Sequence, residues 1–254
     1  MTVIYGLFGL FLLTRVGKIK TFLIHLKDFI YWISKDIASS RRKRKLGIKD
    51  FKPYGLKMFT GRQGCGKTVS LVNMANDLHK EYPKALIYSN FDYLYANGRL
   101  ESLNDLLTIR NGDDGVIFLL DEIQNEFSSN TSRDFPESLL STITMQRKQK
   151  IVILASSQVF TRVSKPLREQ CFEVIECKTF MGRWTKLKCY DADDYNYMID
   201  NSDPKKKYKT PKKYKRSYIQ TDTLRNCYDT YEVIGRLSRQ GFAPKYRGVD
   251  NYGG

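Results

Sequence analysis

Eight consecutive residues have the types and the spacing that could hold a phosphate group. They are Gly61, Arg62, Gln63, Gly64, Cys65, Gly66, Lys67 and Thr68. The three glycines let the backbone turn tightly, so that several N–H groups can point at phosphate oxygens. The Lys67 ammonium group can reach the β- and γ-phosphates, and the Thr68 hydroxyl can coordinate Mg²⁺. These residues therefore predict a P-loop, which binds the phosphates of a nucleotide.

The segments on either side of this loop favour the same interpretation. Residues 55–60, GLKMFT, predict a short buried strand, and residues 67–80 carry apolar side chains at helical spacing. A helix that begins at Lys67 directs its N-terminus, the positive end of its dipole, at the phosphates. The alternative is a Gly-rich turn without a ligand, but the strand–loop–helix context favours nucleotide binding.

An acidic pair follows the next strongly apolar segment. Residues 116–120, VIFLL, predict a buried central strand, and Asp121 and Glu122 come directly after it. Asp121 can hold the magnesium shell at that end of the strand, and Glu122 can polarise the attacking water as a general base. The alternative for Glu122 is an exposed side chain without a catalytic role. With the P-loop, the pair predicts ATP hydrolysis with Mg²⁺.

A hydrolytic site also needs groups that sense the γ-phosphate. Residues 151–155, IVILA, predict a strand that leads to Gln158, whose amide could hydrogen-bond to the water or to the γ-phosphate. The alternative is that this polar run simply begins a loop. Arg147, Arg162 and Arg168 are candidates for a finger that reaches the phosphate of a neighbouring subunit. These arginines could equally face DNA.

The order of the elements predicts an α/β fold. Strands are expected at residues 55–60, 85–88, 116–120 and 151–155. They alternate with helices, one of them expected at residues 135–145, so the sheet should be mainly parallel and covered on both faces. Residues 171–178 and 184–190 predict a later strand pair with its turn at residues 181–182, and residues 231–237 a small helix.

The surplus positive charge lies at the two ends of the chain. The formal net charge is +16. Residues 1–50 carry eleven Lys/Arg against three Asp/Glu, and residues 203–254 carry thirteen against five. This distribution predicts an N-terminal segment (1–50), a neutral ATPase domain (51–202) and a basic tail (203–254). The polyanionic partner that such ends suggest is DNA, although basic ends could merely keep the protein soluble.

The N-terminal segment combines apolar and basic features. The apolar run at residues 3–13 is too short to span a bilayer as a helix. Residues 21–33 predict an amphipathic helix with aromatic side chains on its apolar side, and residues 41–45 are a basic cluster. We expect a peripheral or N-terminal anchor at the cytoplasmic face of the inner membrane. The alternative is a helical pair packed on the core or used for oligomerisation.

The tail is rich in lysine and tyrosine. Residues 203–217 hold two prolines and almost no aliphatic side chains, so we expect them to be disordered or weakly ordered alone. Lysine neutralises phosphates and tyrosine can stack on unpaired bases, which suits single-stranded DNA. The alternatives are a solvated tail or one that lies on anionic lipid. The five cysteines are scattered without a CxxC pair, which is typical of reduced cytosolic thiols and not of a zinc site.

Three segments together resemble a known family. They are TGRQGCGKT at 60–68, VIFLLDEIQ at 116–124 and ILASSQVFTRVSKPLREQC at 153–171. The pattern is similar to the FtsK/HerA superfamily of P-loop NTPases, and within it to the zonular occludens toxin-like (Zot) proteins, the filamentous-phage assembly ATPases. The resemblance implies an additional-strand sheet, in which the strand before Gln158 lies between the P-loop strand and the Asp121 strand. It also implies a homo-oligomer, often a hexamer, that moves phage DNA at a membrane.

The chain departs from that family in the position of its apolar segment. Such ATPases usually carry a membrane segment after the ATPase domain, whereas here the apolar segment precedes it. This leaves open a genome-packaging or conjugation-type motor. A nucleotide-gated scaffold that binds virion or membrane proteins is a second hypothesis. A small-molecule kinase is a third, which the Asp121-Glu122 pair disfavours.

Overall fold

The computed structural model describes residues 24–43, 45, 49–102, 104–125, 145–200 and 210–229, and the chain divides after Lys49 into two units. In the first unit, residues 24–43 form one helix, α1. Its exposed large apolar side chains are Ile24, Phe29, Ile30, Tyr31, Trp32, Ile33 and Ile37. None of the helices in the described residues is long and apolar enough to cross a membrane.

The described residues of the second unit form ten strands, the fifteen-residue helix α2 and several short helices. In chain order the strands are β1 Gly55–Thr60, β2 Leu86–Ser89, β3 Asp92–Tyr93, β4 Gly98–Arg99, β5 Val116–Leu120, β6 Ile151–Ser157, β7 Cys171–Phe180, β8 Trp184–Asp191, β9 Tyr214–Ile219 and β10 Tyr228–Asp229. The helices of this unit are α2 Lys67–Glu81, α3 Asp105–Thr108, α4 Gln146–Gln149, α5 Lys165–Glu169, α6 Ala192–Asp200 and α7 Asp222–Arg225. Single 3₁₀ turns lie at Gly112–Asp114, Ile123–Asn125 and Phe160–Arg162.

Eight of these strands form one sheet in the order β4-β2-β5-β6-β1-β7-β8-β9. The pairs from β4 to β7 are parallel, and β8 and β9 extend the sheet antiparallel. The predicted α/β fold with a mainly parallel sheet is confirmed. So is the strand order that the resemblance implied, because β6 lies between β1 and β5. The carboxyl ends of these three strands therefore meet at one edge, where the predicted site lies.

The central strands are buried because apolar side chains cover both sheet faces. All five residues of β5 and all seven of β6 are buried. Successive side chains of β5 enter different cores: Phe118 packs in one cluster, and Ile117 and Leu119 in the other. A run of consecutive apolar residues is what such a doubly covered strand requires. The predicted strand at 116–120 is thus exact, and the one at 85–88 is displaced by a single residue.

Other predicted elements have mixed outcomes. The later strand pair is present, with its turn at Met181 and Gly182, both of which have positive φ angles. The strand predicted at 151–155 continues for two more residues, through Ser157. The helix predicted at 231–237 lies outside the described residues, and so does the one predicted at 135–145 except for Met145, which precedes α4.

The prediction of disorder over residues 203–217 was wrong for its last part. Strand β9 pairs with β8 along its whole length, for example Lys215 with Lys188. Its tyrosines, Tyr214 and Tyr218, pack against the core cluster beneath α2. Alternation puts these rings and Arg216 on the side of α2, where Arg216 Nη2 donates to Asp77 Oδ2 at 2.6 Å, while Lys215 projects to the opposite face. The Lys-rich composition concealed this pattern, so the segment assigned to a tail supplies the edge strand of the sheet.

Glu173 of β7 is a buried carboxylate between two lysines. Lys57 Nζ and Lys213 Nζ each lie 2.9 Å from one of its oxygens. Burial acts to raise the pKa of Glu173, but the hydrogen bonds and charges of Lys57 and Lys213 outweigh it and hold that pKa below its ordinary value. The ionised group therefore stabilises the fold.

We expect Glu173→Gln to lower the free energy of unfolding at pH 7 by about 1–3 kcal/mol, because two charge-assisted hydrogen bonds are lost. Since the folded-state pKa is depressed, this contribution is complete above the unfolded pKa of about 4.3 and disappears as the pH falls through the folded value. Urea unfolding at several pH values measures it, with the exposed Glu101→Gln as control. An equal cost at all pH values would contradict the assignment.

Candidate nucleotide-binding site

The predicted P-loop joins β1 to α2 in the required geometry. Gly61, Gly64 and Gly66 have φ angles of 146°, 76° and 89°, a region that side chains other than glycine rarely adopt. Helix α2 begins at Lys67, directly after Gly66, which has a left-handed conformation. The loop therefore turns back over the helix N-terminus, where free N–H groups can bind phosphate.

Two oxygen donors lie together beside the loop. Thr68 Oγ1 donates to the Asp121 carboxylate, 3.0 Å from Oδ1 and 3.1 Å from Oδ2. Asp121 is buried, which raises its pKa, while hydrogen bonds from Ser156 and Thr68 act in the opposite direction. A hydroxyl and a carboxylate at this separation fit a hard, oxygen-seeking cation such as Mg²⁺. Thr68 and Asp121 are thus the residues that would hold the metal.

Glu122 lies next to the P-loop lysine. Its Oε1 is 3.7 Å from Lys67 Nζ, and its Oε2 accepts a hydrogen bond from Gln124 Nε2. The backbone at Glu122 has a φ of 51°, which is uncommon for a residue other than glycine and has a strain cost of about 1–3 kcal/mol. This turn places the carboxylate among the pocket-lining groups, with Lys67, Thr68 and Asp121.

Two polar residues that the sequence analysis missed fix this acidic pair. Ser156 Oγ donates to Asp121 Oδ1 over 2.5 Å and accepts from the Glu122 N–H over 3.0 Å. Asn90 accepts from the Asp121 N–H at 2.8 Å and donates to the Asp121 carbonyl at 3.1 Å. Both residues lie at the carboxyl ends of strands that flank β5. Polar residues at the ends of neighbouring parallel strands were the signal that could have indicated them.

Known proteins share this architecture. Residues 54–176 match the family described as AAA domain. The crystal structure of the N-terminal domain of zonular occludens toxin from Neisseria meningitidis has a TM-score of 0.51 and 18% identity, and the match covers 69% of this chain and 98% of that one. The chain has the P-loop NTPase fold. The suspected resemblance to Zot-like proteins fits this result.

A second solved structure is also similar to this chain. It is the genome packaging NTPase B204 from Sulfolobus turreted icosahedral virus 2 in complex with ATP-gammaS, at 12% identity and a TM-score of 0.40. That match covers 55% of this chain and 93% of that one. A comparison with curated protein sequences finds no match.

The structure places Gln158 outside the pocket lined by Lys67, Thr68, Asp121 and Glu122, named here the phosphate pocket. Its side chain lines a separate cleft, together with Gly61, Arg62 and Cys65 on the other side of the P-loop. The β6 side chain that contacts Asp121 is that of Ser156. The role of Gln158 as a γ-phosphate sensor stays a prediction.

The three predicted finger arginines also lie outside the phosphate pocket. Arg147 stacks over the ring of Tyr54 at 5.6 Å, and Arg168 donates through Nε to the Val163 carbonyl at 3.1 Å. Arg162 is exposed at the end of a 3₁₀ turn. Within the part of the chain that the structure describes, the arginine that lines the phosphate pocket is Arg225.

Segments beyond residue 176 form a wall of that pocket, whose volume is about 800 Å³. Thr179 Oγ1 donates to the Cys65 carbonyl at 2.8 Å, which ties the β7–β8 hairpin to the P-loop. Gln220 Nε2 donates to Thr185 Oγ1 at 2.8 Å, and Arg225 Nη2 donates to Gln220 Oε1 at 2.8 Å. The pocket is therefore completed by residues that the sequence analysis assigned to a tail.

Proposed function

We propose that this protein is an Mg²⁺-dependent ATPase that moves DNA in phage-type export or virion assembly. The observation that supports hydrolysis most strongly is the convergence of Lys67, Thr68, Asp121 and Glu122 in one open pocket. A nucleotide-binding module without catalysis would not need a second carboxylate beside the metal-binding one.

Each of these side chains has a distinct part in the proposed reaction. Lys67 and the helix N-terminus hold the β- and γ-phosphates and neutralise their charge. Thr68 and Asp121 hold Mg²⁺, which when bound would offset the charge that develops on the phosphate oxygens. Glu122 orients the attacking water and accepts its proton. Ser156 and Asn90 keep the acidic pair in position through the hydrogen bonds described above.

The motor part of the proposal is supported by charge and by resemblance. The surplus of positive charge in residues 1–50 and 203–254 favours a polyanionic track, and tyrosines in the tail favour single-stranded DNA. The Zot-like pattern supports a homo-oligomer, with a hexamer as the expected form. Exposed aromatic and aliphatic side chains on α1 favour contact with the cytoplasmic face of a membrane. Virion or membrane assembly proteins would be further partners there.

Steady-state ATP hydrolysis without DNA, with single-stranded DNA and with duplex DNA tests this function. We expect strong stimulation by single-stranded DNA, because a motor must couple turnover to its track. Glu122→Gln is the control for contaminating activity. Hydrolysis that is indifferent to both DNA forms would contradict the motor and favour the nucleotide-gated assembly scaffold.

To measure the contribution of the tail to DNA binding, a deletion must leave the described strands intact. Because strand β10 and the described residues that line the pocket end at Asp229, removal of residues 230–254 is the appropriate truncation. We expect weaker DNA binding and a shallower dependence of affinity on salt, since lysine and arginine contacts to phosphates are lost. Unchanged affinity and salt dependence would exclude these residues as a DNA contact.

A further inference from the structure

Strands β7, β8 and β9, which pair antiparallel in that order, have one face that is exposed near the β7–β8 turn. Side chains of β7, β8 and β9 that point towards α2, such as Cys177, Leu187 and Tyr218, are packed in the core. On the opposite face, α6 and its neighbours cover Val174 and Tyr190. Past that helix, towards the hairpin turn, the same face carries Lys178, Phe180, Trp184, Lys186, Lys188 and Lys215, named here the β7–β9 face.

These six residues share a face because of strand register. Lys178 pairs with Lys186 and Phe180 with Trp184 across β7 and β8, and Lys188 pairs with Lys215 across β8 and β9. Directly paired residues project to the same side of a sheet. All four lysines are exposed, and Trp184 keeps 45% of its surface accessible.

The two rings of this face lie among lysine ammonium groups. The Phe180 and Trp184 ring centroids are 6.1 Å apart. Lys186 Nζ lies 3.9 Å from the Trp184 centroid and 4.9 Å from the Phe180 centroid, and Lys178 Nζ lies 5.0 Å from Phe180. An exposed cation–π contact adds only about 0.5–1 kcal/mol to stability. The contribution of these contacts to the stability of the fold is therefore too small to account for an exposed tryptophan among lysines.

The charge of the face selects the class of ligand. Among the described residues, the four lysines of this face have one carboxylate beside them, Glu176, which lies 3.9 Å from Lys188 Nζ and accepts hydrogen bonds from Tyr190 and Tyr195. The complementary ligand is an anion with flat apolar surfaces. Single-stranded nucleic acid has both features, since its phosphates meet the lysines and its unpaired bases can stack on the rings. Duplex DNA offers the phosphates but keeps its bases stacked in the helix.

The β7–β9 face continues into the cleft that contains Gln158. Lys178, Phe180 and Lys186 line this cleft, whose volume is about 790 Å³. Its opposite wall includes Gly61, Arg62 and Cys65, the side of the P-loop that faces away from the phosphate pocket. A strand bound on the face can thus reach both the P-loop and the end of β6.

We propose that the β7–β9 face binds single-stranded nucleic acid, and that a strand held there contacts the P-loop through the Gln158 cleft. The coupling to hydrolysis rests on the proposed ATPase function, whereas binding to the face does not. Five of its six residues lie in the ATPase domain and Lys215 lies in the basic tail, and the site gives Gln158 a role in sensing the strand.

Fluorescence anisotropy of a labelled oligothymidylate, with the full chain and without nucleotide, tests the binding. We expect Trp184→Ala to weaken the affinity by about fivefold to 150-fold, the loss of one stacked base. Lys186→Gln should weaken binding and reduce the slope of log affinity against log salt by about 0.7. Trp184→Phe keeps an aromatic ring, so its affinity for the oligonucleotide should be close to that of the wild type. Lys84→Gln, an exposed lysine elsewhere, is the charge control.

The outcomes separate this proposal from the proposed function. Unchanged affinity in both Trp184→Ala and Lys186→Gln overturns it, as does an equal loss in Lys84→Gln. Trp184-dependent binding to phosphatidylglycerol vesicles without binding to the oligonucleotide would assign the face to a membrane and overturn it too. If ATP hydrolysis is absent but the oligonucleotide binds through Trp184, the proposed function fails and the nucleic-acid site stands.

The coupling has its own readout. Trp184→Ala should leave hydrolysis without DNA unchanged, because Trp184 touches neither the P-loop nor the acidic pair, and should lose the stimulation by single-stranded DNA. If saturating single-stranded DNA stimulated ATP hydrolysis by Trp184→Ala as much as by the wild type, the coupling would be overturned. Lys186→Gln serves as the second variant if Trp184→Ala unfolds, since it leaves both rings in place.

Discussion

Replacement of Glu122 by glutamine is expected to slow ATP hydrolysis by about 10²- to 10⁴-fold, the usual contribution of a general base. Glutamine has nearly the same shape, so it can keep its place beside Lys67 and Gln124. It cannot accept a proton from the attacking water. Because Lys67, Thr68 and Asp121 remain, nucleotide affinity should change little. Single-turnover hydrolysis and equilibrium binding of a fluorescent ATP analogue measure the two effects separately.

A matched control comes from a carboxylate elsewhere on the surface. Glu169 is exposed and pairs only loosely with Lys165, at 3.7 Å. Glu169→Gln should therefore hydrolyse ATP at the wild-type rate. If Glu122→Gln retained more than a tenth of the wild-type rate, Glu122 would not be the base. Loss of nucleotide binding together with hydrolysis would instead point to a disturbed P-loop.

Local sequence was sufficient to predict the loop between β1 and α2 and the acidic pair that follows β5. The P-loop spacing lies within eight consecutive residues, and Asp121 and Glu122 directly follow a strand whose five apolar residues leave no alternative placement. The strand order that joins these two motifs came from the resemblance. Neither motif encodes this order, in which β6 lies between β1 and β5.

What the sequence did not predict depends on contacts between distant residues. Ser156 and Asn90 reach Asp121 from 35 and 31 residues away, through the meeting of three strand ends. Arg225 enters the pocket wall because α7 follows β9, which pairs with β8, and Arg225 Nη2 donates to the Gly182 carbonyl of the β7–β8 turn. The Lys-rich composition of residues 203–217 indicates disorder, and the spacing of Tyr214 and Tyr218 fits one face of a helix as well as one face of a strand. The prediction from composition was therefore wrong for this part, which forms a strand because β8 offers an edge with which it pairs.

Residues of the β7–β8 hairpin and of the segment after β9 pack against one glycine of the P-loop and not against another, so a substitution at the first should cost more stability. A Cβ added at Gly66 would lie 2.6 Å from Thr179 Oγ1 and 3.2 Å from Gln220 Nε2, whereas one added at Gly64 would meet nothing within 4 Å. Both glycines have positive φ angles, 89° and 76°, so the backbone strain of an alanine is similar at the two sites. The pair isolates the effect of packing against the β7–β8 hairpin.

We expect Gly66→Ala to lower the free energy of unfolding by about 1–3 kcal/mol more than Gly64→Ala does, the usual cost of overpacking. Chemical denaturation of the nucleotide-free protein measures the difference. The excess cost should shrink when Thr179 is changed to alanine, since that removes the oxygen the new Cβ would meet, and a double-mutant cycle reports this as a coupling energy. Equal costs at Gly64 and Gly66, or no coupling to Thr179, would mean that the hairpin does not pack on the P-loop in solution. A measurable coupling would instead establish that residues beyond the matched family region hold the phosphate-binding loop in shape.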